Sequence, residues 1–128
     1  MRFLLDTHAL LWFLQGSENL PPVVRTVLQD DANDVFVSAV SAMEVTTKFR
    51  LGKLPSAAVL ANRFENTVAE KGFLPLAISL AHAERAGSLP IPHKDPFDRL
   101  LIAQGILEGM TLVSNEAVFD GFGVGRFW

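Results

Sequence analysis

No cysteine occurs among the 128 residues, which excludes a disulfide framework, a thiolate nucleophile and any zinc or iron-sulfur site built on sulfur. A metal bound by this chain must take oxygen or imidazole ligands, and the natural compartment is the cytoplasm. Long apolar runs are missing too. None approaches the roughly 18 residues that cross a bilayer, and the apolar start MRFLLDTHALLWFL is interrupted by Asp6 and His8, so neither a signal peptide nor a membrane anchor is expected. Positive charge is not in excess. Fourteen acids against eleven bases give a formal charge of −3, which excludes a protein coated in positive charge for nucleic acid but leaves room for local basic patches. Also absent are a Gly-x-Ser-x-Gly elbow, a Gly-x-x-x-x-Gly-Lys phosphate loop and a Gly-x-Gly-x-x-Gly fingerprint, so serine hydrolase, nucleotide triphosphatase and dinucleotide enzyme lose their usual support. With no linker, repeat or low-complexity tract, one domain over residues 1–128 is expected.

What is present alternates strand and helix. Arg2 to Leu5 reads as an apolar strand, Thr7 to Leu14 as a buried helix broken at Gly16 and Ser17, and Pro21-Pro22 as the first turn of a helix running to about Asp31. Asp34 to Ser38 forms the next strand, followed by a helix from Ser41 to Leu51 closed by Gly52. Ser56 to Lys71 has Leu60, Phe64 and Val68 at helical spacing, with Ser56 as its cap, and predicts one long amphipathic helix. Phe73 to Ala77 is a strand that Pro75 would send to a sheet edge. A short helix over Ser79 to Ala86, a loop over Gly87 to His93, a helix over Asp95 to Glu108, a strand over Thr111 to Val113 and a turn over Asn115 to Asp120 complete the chain before a Gly-rich end. Apolar strands alternating with helices predict an α/β fold with a parallel sheet covered on both faces.

In such sheets ligands sit beyond the carboxyl ends of the strands, and here those places are acidic. Asp6 closes the first strand, Glu44 lies about two turns past the second, Glu116 follows the last, and Asp95 and Asp98 open a helix three residues apart. Carboxylates brought together repel one another unless a cation neutralises them, and hard oxygen ligands select Mg²⁺ or Mn²⁺. Each acid also has a plainer reading. Asp6 caps the first helix; Glu44 pairs with Lys48 four residues on; Asp95-Pro96-Phe97-Asp98 is a helix cap; Glu116 and Asp120 decorate a turn capped by Ser114. These readings must hold independently at four places, and they do not explain the common edge. Of the histidines, His8 stands two residues after Asp6, within reach of a substrate phosphate, while His82 and His93 read as surface or loop residues.

Leu4 to Trp12 (LLDTHALLW), Ser38 to Glu44, Gly52-Lys53-Leu54, His93 to Gln104 (HKDPFDRLLIAQ) and Leu112 to Phe119 (LVSNEAVF) together resemble the PIN domain, and most of all its VapC-like toxin branch. The resemblance runs in order over nearly the whole chain. It implies a three-layer α/β/α sandwich with a central parallel sheet of four to five strands, and a Mg²⁺- or Mn²⁺-dependent endoribonuclease acting as the toxin of a type II toxin-antitoxin system. The family's acids map onto Asp6, Glu44, Asp98 and Glu116, with Asp95 a further candidate metal ligand. The last motif of the family usually reads Thr/Ser-x-Asp, whereas this chain has Ser114-Asn115-Glu116 and so carries that carboxylate on a longer arm.

The expected reaction is hydrolysis of RNA phosphodiester bonds with one or two divalent ions at these acids. Thr7, Ser38, His8 and Ser114 are candidates to orient acids, water or substrate. Lys48, Arg50 and Lys53 form the dense basic run that would hold the RNA backbone, or else a solvated face. The resemblance also implies a homodimer and a cognate antitoxin, with the Leu60, Phe64, Val68 stripe a candidate for packing between copies as well as for core. Alternatives are a non-catalytic PIN-like binding module and a metal-dependent phosphatase, although phosphatases commonly use an Asp-x-Asp pair and this strand ends Asp-Thr-His. Setting the five edge acids aside leaves nine acids against eleven bases, a mildly basic remainder that suits a polyanionic substrate.

Overall fold

A computed structural model describes residues 1–128. Five strands, β1 (Arg2–Leu5), β2 (Asp34–Ser38), β3 (Leu74–Leu76), β4 (Thr111–Val113) and β5 (Arg126–Phe127), form one sheet in the order β3-β2-β1-β4-β5. Every neighbouring pair runs parallel. Side chains of successive strand residues point to opposite faces, and the core divides accordingly. Phe3, Leu5, Val35, Val37 and Val113 belong to one buried cluster, Leu4 and Leu112 to another. Because both faces are covered, the strands carry no polar alternation.

Helices α1 (Thr7–Gln15) and α2 (Pro22–Gln29) cover the first face. Helix α3 (Ala39–Arg50) supplies Val45 to that cluster and Val40 to the other. It begins before Ser41 because the Ser38 hydroxyl accepts a hydrogen bond from the Val40 N–H, capping the helix directly at the strand's end. On the second face α6 (Leu80–Ser88) packs on α7 (Pro96–Glu108), which contributes Leu101 and Ile102.

The segment expected as one long helix is a 3₁₀ turn at Pro55–Ala57 followed by α4 (Ala58–Asn62) and α5 (Phe64–Glu70). Ser56 caps nothing, and the break falls at Arg63, with φ −140° and ψ 41°. The bend turns both short helices onto the sheet. Leu60 and Val68 are buried in the first cluster and Phe64 packs against it, so this stripe is internal core and is not available for packing between copies. The other departure is β5. Two residues of the Gly-rich end join the sheet because β4 has a free edge, Leu112 N–H donating to Gly125 O and Ser114 N–H to Phe127 O. Pro75 does lie in an edge strand, β3. No helix is long and apolar enough to cross a membrane.

Register fixes the site. Leu5 lies level with Val37 and Val113, so the next residues, Asp6, Ser38 and Ser114, leave the sheet side by side at its carboxyl edge.

Candidate active site

Asp6 caps the first helix, as its plainer reading has it, and is buried at the sheet's carboxyl edge. Its carboxylate accepts the Ala9 N–H at 2.7 Å and caps α1, while the side chain is 5% exposed and has no cationic side chain bound to it. Burial raises its pKa to about 6, against the opposing pull of the Ser114 hydroxyl, the Ala9 N–H and the nearby His8; Glu116 adds repulsion. Glu116 itself is exposed, its N–H donating to Ser114 Oγ at 3.0 Å. These residues make up one half of the edge.

The other half gathers Glu44, Lys48, Asp95 and Asp98. Glu44 is buried on α3. Its Oε1 accepts from the Thr7 hydroxyl at 2.6 Å and its Oε2 from Lys48 Nζ at 2.5 Å. Asp95 caps α7 by accepting the Phe97 and Asp98 N–H groups, so its capping reading holds, with Pro96 in the first turn. Asp98 is a quarter exposed and its Oδ2 lies 2.7 Å from His93 Nε2. Burial is the chief cause raising the Asp98 pKa; the His93 contact opposes it, and the charges of Asp95 and Glu44 reinforce it. Thr7 follows Asp6 in sequence and touches Glu44, so it links the two halves.

The remaining candidates fall in different places. Ser38 faces no acid: its hydroxyl donates to Gln104 Oε1 at 2.6 Å and ties α3 to α7. His8 is exposed and stacks on Trp12, with ring centroids 5.6 Å apart. Arg50 and Lys53 are exposed and outside every ion pair of the structure. Lys48 differs from them, since its ammonium is committed to Glu44 and lies in the field of Asp95 and Asp98.

Two residues were missed. His93, read as a loop residue, holds Asp98 and packs its ring against Phe119 and Phe122. Arg99 fastens the loop that carries His93: its guanidinium donates to the carbonyls of Ala86, Gly87, Leu89, Ile91 and His93. Neither role has a signature in sequence spacing, because both depend on how the loop folds back over α7.

The donors fit a hard divalent cation by their chemistry. They are all oxygens, and Asp6 is a buried carboxylate without a positive partner, the kind of group a cation relieves. The cage is not closed, however. No three acidic or imidazole side chains converge tightly enough to clasp an ion as they stand; Glu44 is paired with Lys48 and Asp98 with His93.

The model of the PIN domain matches residues 3–124. The chain belongs to the PIN domain family. Over 68 residues it is 35% identical to Ribonuclease VapC16 of Mycobacterium tuberculosis, a match spanning 52% of this chain and about half, 48%, of that protein. Among solved structures, VapBC2 of Rickettsia felis bound to a promoter DNA fragment is similar to this PIN domain with a TM-score of 0.72 and 14% identity, covering 100% of this chain and 99% of that one. FitAcB of Neisseria gonorrhoeae is similar with a TM-score of 0.68 and 20% identity, covering 98% and 96%. At those identities the likeness is one of fold.

Proposed function

We propose that this PIN domain is a metal-dependent endoribonuclease and acts as the toxin of a type II toxin-antitoxin pair. The observation that carries the reading is the uncompensated Asp6 carboxylate, buried at the sheet's carboxyl edge and pushed up to about pKa 6, beside a second buried carboxylate, Glu44, joined to it through Thr7. Active sites are where such unfavourable burial of charge concentrates. Asp6, Glu44 and Asp98, with Asp95 and Glu116 beside them, would hold Mg²⁺ or Mn²⁺. Bound there, the ion supplies positive charge that lowers the pKa of a water and steadies charge on the scissile phosphate.

The rest is work of this chain's own residues. Thr7 fixes the Glu44 carboxylate, Ser114 fixes Asp6, and His93 fixes Asp98, so the acids are oriented before substrate arrives. Arg50 and Lys53, free of ion pairs, hold the RNA backbone. In-line attack by water leaves a 5′-phosphate and a 3′-hydroxyl. The similarity to Ribonuclease VapC16 supports an RNA substrate, and the likeness in fold to VapBC2, FitAcB and a toxin-antitoxin complex of Klebsiella pneumoniae supports an antitoxin partner for this chain; a second copy of the chain belongs to the same proposal.

One observation favours the rival reading of a non-catalytic binding module: Asp6 and Asp95 do cap helices. An RNA cleavage assay with Mg²⁺ or Mn²⁺ separates the two. Wild type cleaves, and Asp6→Asn, Asp98→Asn or addition of EDTA abolishes cleavage. Activity that survives any of these changes overturns the proposed site, and a wild type that cuts no RNA while holding a partner protein supports the binding module.

A further inference from the structure

The basic run offers Lys48 to the RNA backbone or to a solvated face, and its spacing offers it to Glu44. The structure shows the pair with Glu44. The ammonium Nζ lies 2.5 Å from Glu44 Oε2, its side chain is 33% exposed, and that of Glu44 is 7% exposed. The carboxylates of Asp95 and Asp98 also act on it. Both oxygens of Glu44 are therefore taken, one by Thr7 and one by Lys48. A pair of this spacing on an open helix surface contributes little, but here the acid is buried, and removing the base leaves a charge without a partner, which is far more costly.

We infer that Lys48 is a built-in counter-cation of the acidic edge, occupying Glu44 while no divalent ion is bound and competing with that ion for it. The inference rests on the reading of the acids as a divalent cation site. A single positive charge on a four-carbon stem offsets the Glu44 carboxylate when no metal is bound, and its flexible stem lets it swing toward solvent. Until it swings away, Glu44 has no oxygen free for an ion, since Thr7 holds one and Lys48 the other. Lys48 thus sets the metal affinity from inside the site without being a ligand.

The test is Mn²⁺ binding to the purified full chain, followed by calorimetry and by the electron spin resonance of free Mn²⁺, with urea unfolding in EDTA and in saturating Mn²⁺. Lys48→Met is expected to bind Mn²⁺ about tenfold more tightly than wild type, since the competing charge is gone. Its metal-free form unfolds at lower urea, and Mn²⁺ raises its midpoint more than it raises that of wild type. Lys48→Arg, which keeps the charge, binds Mn²⁺ as wild type does; if Lys48→Met does not fold in EDTA, it must refold on titration with Mn²⁺, whereas Lys48→Arg folds without it. Unchanged or weaker Mn²⁺ binding by Lys48→Met overturns the inference, as does an equal loss of midpoint with and without Mn²⁺, the mark of a merely structural pair. Failure of RNA cleavage by a wild type that binds Mn²⁺ overturns the ribonuclease reading alone, and failure of both wild type and Lys48→Met to bind Mn²⁺ overturns both.

Discussion

Thr7 Oγ1 lies 2.6 Å from Glu44 Oε1 and 3.0 Å from Ser41 Oγ, all three groups buried. The hydroxyl donates its one proton to the carboxylate and accepts from Ser41, so α1 and α3 are joined at their first and middle turns by a fully used polar contact. Thr7→Val keeps the shape and removes the hydroxyl. It is expected to cost about 1–3 kcal/mol, the range for leaving a buried charged group short of a hydrogen bond, measured by urea unfolding. RNA cleavage should fall about tenfold, because Glu44 loses its orientation; an unchanged rate with lowered stability would show that Thr7 serves only the fold.

The pKa of Asp6 fixes a pH dependence. An acid raised by burial holds more protons folded than unfolded, so its favourable contribution is complete below its unfolded pKa near 4 and is lost as pH rises through about 6. Between those limits and neutrality the metal-free protein gives up on the order of 3 kcal/mol from this group. Asp6→Asn retains an oxygen for the Ala9 N–H and does not ionise. In EDTA, urea midpoints of wild type and Asp6→Asn should be close near pH 4 and diverge in favour of the variant toward pH 7.5. Parallel curves would mean that burial does not strain the Asp6 carboxylate.

Arg99 to Lys is not a conservative change at this position. One planar guanidinium serves carbonyls from Ala86 to His93, with distances of 2.7 Å to Leu89 O and 2.8 Å to His93 O and Ala86 O. An ammonium has three donors on a point and cannot span them. Arg99→Lys should cost about 2 kcal/mol through the carbonyls left short of partners, and amide hydrogen exchange should quicken over residues 86–93 before it does elsewhere. The same variant should cleave RNA more slowly, since the loop it frees carries His93.

Gly105 shows how tightly the second core layer is packed. A β-carbon added there would stand 2.6 Å from Val124 Cγ2. Gly105→Ala is expected to destabilise by about 1–3 kcal/mol through overpacking, and Gly105→Ala with Val124→Ala should lose less than the sum of the two single changes. Strict additivity in thermal unfolding would count against the contact.

Several features were settled by residue order alone. The four apolar strands, the helix ending at Gly109 and the proline-started α2 follow from local rules, because period, capping and backbone freedom act within a few residues. So does the row of acids after strands, since a residue following a strand in a parallel sheet has only one edge at which to emerge. What folding alone decided involves partners far apart in the chain. The break at Arg63 and the strand Arg126–Phe127 exist because the sheet offered a surface and an edge to segments whose own preferences were weak. Ser38 turns from the acids to Gln104, 66 positions away. The Glu44–Lys48 spacing predicts a contact, but only burial by α1 and α7 converts it from a solvated pair into a charge that the site must neutralise, because electrostatic strength depends on the dielectric around the pair and that is a property of the packed molecule.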